Sequence, residues 1–213
     1  ILAGCGVHND KHKDTEHDGI HRFFLEENAK VKYMEKHYGE GDGSGKNILN
    51  PVTEIFMKPG SNMTMDTTQI KGVDDTLRET KAIMDENTTL VINEKILTNG
   101  EQHAKTIFHV ELNGENASTH VTSRSVATES SYQEFVSDIT GNSSCYAHVE
   151  CDAILKENGH VKSIPEIYAK NPNANLIHEA AIGKIQGEQL MKLMSLGLNE
   201  KEAEDVIIKG FLK

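Results

Sequence analysis

Short segments of alternating residues recur along the first two thirds of the chain. Each segment begins with a polar corner that contains Asn, Gln or Gly. It continues with side chains that alternate between apolar or β-branched and polar types. Such segments begin at Glu27, Ser61, Glu86, Glu101 and Glu115. Alternation with a period of two is typical of β-strands that bury one face, so the pattern predicts a mainly β fold.

The spacing of these corners favours one architecture over another. The last three corners lie only about 15 residues apart, which leaves no room for a helix between strands. Repeated short strands at such spacing predict a solenoid, in which each coil stacks on its neighbour. A sandwich of β-hairpins is the alternative, but few Asn-Gly or Asp-Gly turns flank the segments.

The pattern changes after about residue 170. A turn-rich stretch at 171–175 is followed by a predicted helix over 186–196 and a stop at Gly197. Asn199 and Glu202 form a predicted capping pair that opens a second helix. This second helix is expected to bury Ala203, Val206 and Ile207. The chain is therefore divided into a β core over 1–170 and a C-terminal helical region over 171–213.

Composition and charge exclude several classes of partner. The net charge of −11 disfavours nucleic acid and an anionic membrane surface, both of which require a surplus of Lys and Arg. The sequence contains no apolar window of the roughly 20 residues that a membrane span requires. Its first residues do not resemble a signal peptide, and we expect that residues are missing before Ile1. An odd number of cysteines, three, indicates a reducing, cytoplasmic setting.

Two segments suggest chemistry that the rest of the sequence does not support. His8, His12, His17 and His21 invite a metal site if each pair at i and i+4 shares a helix face, with solvated imidazoles in a polar strand-and-loop segment as the alternative. The glycine-rich stretch 39–47 lacks the Gly, and the Ser or Thr, that a Walker motif requires, and it is interpreted as a flexible loop. The chain therefore has no nucleotide site of its own.

Cys151 and the pair His178–Glu179 are the candidate chemical groups. Cys151 lies in an alternating strand, and as a thiolate it could bind iron or zinc or accept sulfur. A buried, inert thiol is the alternative. His178 and Glu179 offer an imidazole and a carboxylate on adjacent residues, with a surface pair as the alternative. Cys145 is too far along an extended strand to chelate together with Cys151.

An ordered set of motifs lies at 147–155, 164–167, 178–185, 188–190, 197–198 and 210–211. This set resembles the SufB/SufD family, the scaffold proteins of Suf iron–sulfur cluster assembly. Upstream similarity covers Gly6 to Asn9, Gly19 to Phe23 and His37 to Gly41, so the resemblance extends over essentially the whole chain. Most similar is the short, single-type member of the family, in which one protein replaces separate SufB and SufD subunits.

The resemblance implies a fold and a set of partners. It implies a right-handed parallel β-helix with helical flanks, and a SufC-type ABC ATPase that docks on the C-terminal helical region. It also implies a homodimer through the β-helix, a sulfur donor and apo-protein acceptors. The implied role is a non-catalytic scaffold that builds and transfers a transient, nascent iron–sulfur cluster.

The resemblance also implies site residues. Cys151 aligns with the SufB cysteine that is thought to hold the nascent cluster, and His178 with the functional histidine of SufD. Glu179 matches the second glutamate of a Glu-His-Glu set in SufB, whereas the first glutamate is Ile177 in this chain. Cys151, His178 and Glu179 remain as expected cluster ligands, from one subunit or both. Leu196 replaces an arginine usual in the family's tail.

Two other classes of function stay open at this point. One is a β-solenoid binding module whose helical tail docks an unrelated partner without cluster chemistry. The other is a stand-alone metal- or thiol-dependent enzyme that uses His8, His12 or Cys5.

Overall fold

The computed structural model describes residues 1–9, 13–41 and 45–213, and these form fifteen strands and two helices. The glycine-rich stretch 39–47 lies partly, and His12 wholly, outside the described residues. The first eight strands are β1 (Leu2–His8), β2 (Thr15–His17), β3 (Ile20–Leu25), β4 (Lys30–Glu40), β5 (Asn47–Leu49), β6 (Val52–Met57), β7 (Asn62–Lys71) and β8 (Asp75–Met84). The remaining elements are β9 (Thr89–Thr98), β10 (His103–Leu112), β11 (Ser118–Ala127), β12 (Tyr132–Gly141), β13 (Tyr146–Leu155), β14 (His160–Ala169), β15 (Asn175–Gly183), α1 (Gly187–Met194) and α2 (Glu200–Phe211).

The strands form two parallel sheets that wind into a β-solenoid of about six turns. The first sheet has the order β1-β4-β7-β9-β11-β13-β15, and the second runs from β14 through β12, β10 and β8 to the short N-terminal strands. The strands pair in parallel with the strand one coil away, and the ladders from β8 onwards keep one register along their length. The β4–β7 ladder has one irregularity between His37 and Tyr38. The predicted solenoid is therefore confirmed, and the hairpin sandwich, which requires antiparallel neighbours, is wrong.

The polar corners fold as they do because they contain residues that tolerate the left-handed region. Asn28, Gly60, Asn87 and Asn116 all have positive φ angles between 56° and 73°. Asn is favoured over other non-glycine residues there, because its short side chain can hydrogen-bond locally. Neighbouring corners are also linked, since Asn116 Nδ2 donates to Asn87 Oδ1 at 3.2 Å. These corners turn the chain from a strand of the second sheet into the next strand of the first sheet.

The interior is filled by the inward-facing residues of every strand. β9 alternates buried and half-buried positions along its whole length, with Leu90 and Ile92 fully buried. One continuous cluster of aliphatic, Met and Phe side chains runs from Leu25 in the second sheet to Cys151 in the first. The core is narrow because only two sheet faces contribute to it, which agrees with the absence of Trp from the sequence.

The last coil is open on its free side. β15 ends the first sheet and β14 ends the second, so neither strand has a neighbour beyond it in the described chain. Ile167 pairs with the buried Ile139 and Ile182 with the buried Ala153, so both belong to the inner face of the solenoid. They nevertheless remain 39% and 40% exposed because no further coil covers them.

The C-terminal helices differ in part from expectation. The capping pair is confirmed, since Asn199 Oδ1 accepts from the Glu202 backbone and Glu202 Oε2 accepts from the Asn199 backbone. Ala203 is fully buried, but Val206 is 48% exposed, so its predicted burial is wrong. The last strand, β15, lies within the region 171–213, and helix begins only at Gly187.

Helix α2 lies beside the solenoid and does not cover its end. Lys95 Nζ of β9 donates to the Lys213 carbonyl, Arg124 of β11 donates to the Phe211 carbonyl, and Lys156 pairs with Glu204 at 2.7 Å. Neither helix combines the length and the apolar character that a membrane crossing requires, within the residues the structure describes.

The helical interpretation of the N-terminal histidines is wrong. His8, His17 and His21 lie on three separate strands, because alternation and not a period of 3.6 governs this segment. His8 and His17 are exposed, whereas His21 is partly buried. The predicted His17–His21 pair therefore shares no helix face, and the His8–His12 pair lies partly outside the described residues because it includes His12.

Candidate functional site

Cys151 lies at the centre of β13 and points into the solenoid. Its side chain is only 1% exposed. Its partners are Ser123 in β11 and Ala180 in β15, the terminal strand of the sheet. The thiol is therefore one strand away from the open end, and displacement of β15 would uncover it.

The environment of Cys151 keeps it protonated. Burial raises the pKa of the thiol to about 11, with smaller contributions from the charges of Glu94 and Asp152. The hydroxyl of Ser163, on the facing strand β14, lowers this pKa in part by favouring the thiolate. Because the thiolate is the metal ligand and nucleophile, Cys151 in this closed state is inert.

A row of polar side chains leads to Cys151 along the inner face of the first sheet. Glu94, Ser123 and Cys151 occupy the same position in successive coils, at intervals of 29 and 28 residues. The Ser123 hydroxyl donates to Glu94 at 2.9 Å, and Arg78 from the second sheet pairs with Glu94 at 3.1 Å. Sequence reasoning missed this row, although its coil-length interval is visible once the register is known.

His178 shares the inner face with Cys151. It pairs with Val149, two residues before Cys151, so the two side chains are diagonal neighbours with Cα atoms roughly 8 Å apart. Burial, and then the nearby His148, lower the pKa of His178, which favours the neutral, ligating form of the imidazole. Its Nε2 is buried and has no hydrogen-bond partner among the described residues. The imidazole is thus available to a ligand.

Glu179 points the opposite way, because alternation places adjacent residues of β15 on opposite faces. Its side chain is 67% exposed, and its Oε1 lies 3.7 Å from His148 Nε2. His148 in turn packs edge-on against His120 at a ring separation of 4.9 Å, and Glu150 lies close to both. The structure therefore places Cys151 and His178 on the same inner face and Glu179 on the outer face. On the outer face, Glu179 lies beside His148, His120 and Glu150, which sequence reasoning missed.

The inner pair meets the basic chemical requirements of an iron–sulfur ligand site. A thiol and a neutral imidazole are both ligands of iron in such clusters. The unpartnered Nε2 of His178 leaves a ligand atom free on the same inner face as the thiol, among the described residues. Cys151 and Cys145 are the cysteines of this region, and a four-cysteine cluster requires more thiolates than these two.

Helix α1 presents an unfilled apolar groove. None of its residues is buried within the described part of the chain, although Leu190, Leu193 and Met194 form an apolar stripe. A groove of about 520 Å³ lies between α1 and α2. Its lining consists of Gln189, Lys192, Leu193, Ser195, Leu196 and Ile207. An amphipathic helix without a buried face is typical of a surface that a partner covers.

Fold and site together define a β-solenoid protein with a thiol–imidazole pair under the open end of its last coil. Comparison with known families gives a match to the family model described as "SUF system FeS cluster assembly, SufBD core domain", over residues 72–211. The chain belongs to this SufBD family, as its motifs predicted.

Curated relatives agree with the family. The chain is 34% identical over 194 residues to an iron–sulfur cluster assembly SufBD family protein of Methanocaldococcus jannaschii, covering 87% of this chain and 58% of the relative. Members from Archaeoglobus fulgidus and Pyrococcus horikoshii are 28% and 29% identical, with 100% and 94% of this chain covered and 56% and 61% of the relatives. The chain thus spans slightly more than half the length of these relatives.

Proposed function

We propose that this chain is a scaffold for iron–sulfur cluster assembly, on which a nascent cluster is built and from which it is transferred to apo-protein acceptors. The single observation that carries this proposal is the diagonal placement of Cys151 and His178 on neighbouring strands of the inner face, beside the open end of the solenoid. The protein itself performs no catalytic turnover in this role. It works in the cytoplasm with a sulfur donor and a motor partner.

Cys151 is the central ligand in this proposal. Its burial raises the pKa to about 11, so it ionises only when the terminal coil opens and water reaches the sulfur. The open thiolate then binds iron and sulfide. A site that is inert when closed protects a reactive thiol between rounds of assembly.

His178 and Glu179 supply harder ligands than the thiolate. An imidazole and a carboxylate bind iron more weakly than additional thiolates would, which allows the finished cluster to leave. His178 acts next to Cys151 within one chain. Glu179, on the outer face, acts together with His148 or across a subunit contact, because its exposed carboxylate points away from its own Cys151.

The second subunit is another copy of this chain, paired through the open ends of the solenoids. Ile167 and Ile182 are inner-face residues without a covering coil, and Tyr168 beside them is 48% exposed. Open strand edges with apolar side chains favour pairing with a second chain. Such a contact brings two Cys151–His178 pairs towards the same seam and completes the ligand set.

The C-terminal helical region docks a SufC-type ABC ATPase. The apolar groove between α1 and α2 offers this partner a surface that the chain leaves empty. Because the sequence has no Walker motif, ATP hydrolysis must come from a partner. Closure of two ATPase subunits on ATP, each holding one scaffold tail, strains the seam and uncovers Cys151.

Anaerobic co-purification with the candidate ATPase, followed by analysis of iron and sulfide, tests this function. The parent chain is expected to retain both elements, and Cys151→Ala to lose them while the fold and the ATPase contact persist. Cys145→Ala is the matched control, because Cys145 is also buried but precedes β13. Unchanged iron and sulfide in Cys151→Ala would remove the assignment.

A second candidate is a β-solenoid binding module without cluster chemistry, and the empty α1–α2 groove is the observation that favours it. This module would dock a partner through the groove and leave Cys151 as a packing residue. Repeated pull-downs that recover a different protein and never an ABC ATPase, together with no iron on the parent chain, would favour this candidate over the scaffold.

A further inference from the structure

A second cluster of ligand-type side chains lies at the opposite end of the solenoid from Cys151. Cys5 of β1, His21 of β3 and Glu35 of β4 point inwards from three strands of the first coils. One donor atom from each lies within 4.8 Å of the other two. Neither the site described above nor the family match assigns a role to this cluster.

Glu35 lies at the centre of the cluster, and one of its two carboxylate oxygens has no hydrogen-bond partner among the described residues. Its side chain is 1% exposed, and its Oε1 lies 3.3 Å from Cys5 Sγ and 3.1 Å from His21 Nδ1. The other oxygen, Oε2, is buried and has no hydrogen-bond partner among the described residues. A buried carboxylate is costly unless both oxygens are satisfied, so this geometry leaves a position to be filled.

His37 lies against the Glu35 carboxylate but outside the three proposed ligands. Arg78 donates to His37 Nδ1, and since a guanidinium cannot accept, the imidazole must carry its hydrogen on Nε2. That nitrogen lies 3.1 Å from Glu35 Oε1. Carboxylates that bind a metal are commonly contacted by further polar residues outside the ligand set. His37 is therefore a supporting residue of the cluster.

The spacing of the three donor atoms suits a transition metal. In a tetrahedral site with Zn–S near 2.3 Å and Zn–N or Zn–O near 2.1 Å, neighbouring ligand atoms lie roughly 3.4 to 3.6 Å apart. The measured separations of 3.3 Å and 3.1 Å from Glu35 Oε1 need only a few tenths of an ångström of expansion. A purely hydrogen-bonded cluster accounts for Oε1 alone, whereas an ion held by both oxygens of the carboxylate would also give Oε2 a partner.

We propose that Cys5, His21 and Glu35 bind a divalent transition-metal ion of the Zn²⁺ or Fe²⁺ class, with a fourth position open to water. A thiolate, an imidazole and a carboxylate together select such ions over Mg²⁺ or Ca²⁺. Binding displaces the proton of the Cys5 thiol, which passes to solvent past the partly exposed His21. Metal affinity therefore rises with pH.

Titration with Co²⁺ tests the site, because a thiolate bound to Co²⁺ gives a charge-transfer absorption in the near ultraviolet. The experiment uses the whole chain with Cys151→Ser, reduced and without oxygen, so that the proposed cluster thiol cannot contribute. One Co²⁺ per chain is expected, with the absorption lost in Cys5→Ser and the affinity lowered at least about tenfold in Glu35→Gln. Cys145→Ser is the control and is expected to change neither.

A further variant distinguishes a lost metal ligand from a lost fold. His21→Gln changes a side chain that is 28% exposed and is expected to leave the circular dichroism of the metal-free chain unchanged while weakening Co²⁺ binding. An absent absorption in excess Co²⁺, or one that persists in Cys5→Ser, would overturn the proposal. Because Cys151 is replaced throughout, either result leaves the scaffold function to its own test.

Discussion

His178 lies two residues before the strand partner of Cys151, so that both side chains enter the solenoid from neighbouring strands of the same sheet. Glu179, the next residue, leaves on the other face. If both His178 and Glu179 bind a cluster, they must therefore do so from opposite faces of β15. The inner surface belongs to one chain, and the outer surface is free to meet another.

The two members of this pair are expected to differ in their effect on cluster retention. His178→Ala should lower the iron that remains after anaerobic desalting by at least about tenfold, since it removes a ligand next to the thiol. Glu179→Ala should cause a smaller loss, because its carboxylate is exposed. Iron and sulfide analysis measures both. His160→Ala, an exposed histidine of β14, is the control, and equal losses in all three variants would contradict the arrangement.

Alkylation of Cys151 should depend steeply on pH. With a pKa of about 11, the reactive thiolate is scarce at neutral pH, so the rate with iodoacetamide should rise about tenfold per pH unit up to that value. The raised pKa also means that the folded state holds this proton more tightly than the unfolded chain. Its contribution to stability is present below pH 9 and is lost as the pH rises from about 9 to 11. Peptide-resolved mass spectrometry and alkaline unfolding measure the two effects, and rapid alkylation at pH 7 would contradict them.

The buried ion pair between Arg78 and Glu94 should be essential to the core. Burial raises the pKa of Glu94, and the charge of Arg78 opposes this rise. Arg78→Met should therefore lower the free energy of unfolding by about 3–5 kcal/mol, since it leaves a buried carboxylate unpaired. Chemical denaturation measures the change. Addition of Glu94→Gln should recover part of the loss, whereas Lys81→Met, in an exposed pair, should cost no more than about 1 kcal/mol.

The open end of the solenoid should control self-association. Replacement of Ile167 and Ile182 by Lys places charges on both terminal strands and should raise the dissociation constant of the dimer at least about tenfold. Analytical ultracentrifugation over a concentration series measures it. Leu77→Lys, a 45% exposed residue of the interior strand β8, is the control. A dimer that withstands the double substitution must pair through another surface.

The groove between α1 and α2 should carry the contact with the ATPase. Leu196 lines this groove and is 80% exposed, so Leu196→Asp should weaken binding of the ATPase at least about tenfold without a change in helix content. Val206→Asp is the control, because Val206 is exposed on α2 outside the groove. Calorimetric titration compares the variants, and equal effects of both would contradict docking in the groove.

The amino-acid sequence by itself determined the strands, their parallel stacking and the family. Alternation with a period of two and polar corners such as Asn87 and Asn116 are local signals, because a strand face and a left-handed turn depend only on nearby residues. The capping pair Asn199–Glu202 was equally local, and it was confirmed in full. Predicted burial failed at Val206, since the side of a helix that meets the solenoid is a long-range property.

Only the tertiary structure decided which chemical groups meet. Cys5 and Glu35 are 30 residues apart, and Cys151, Ser123 and Glu94 come from three coils, so their contacts depend on the register between strands. The register also decided that His178, and not the adjacent Glu179, faces the interior. A shift of one residue would reverse every inward and outward side chain, and the packing of the whole core, rather than any single segment, fixes that choice.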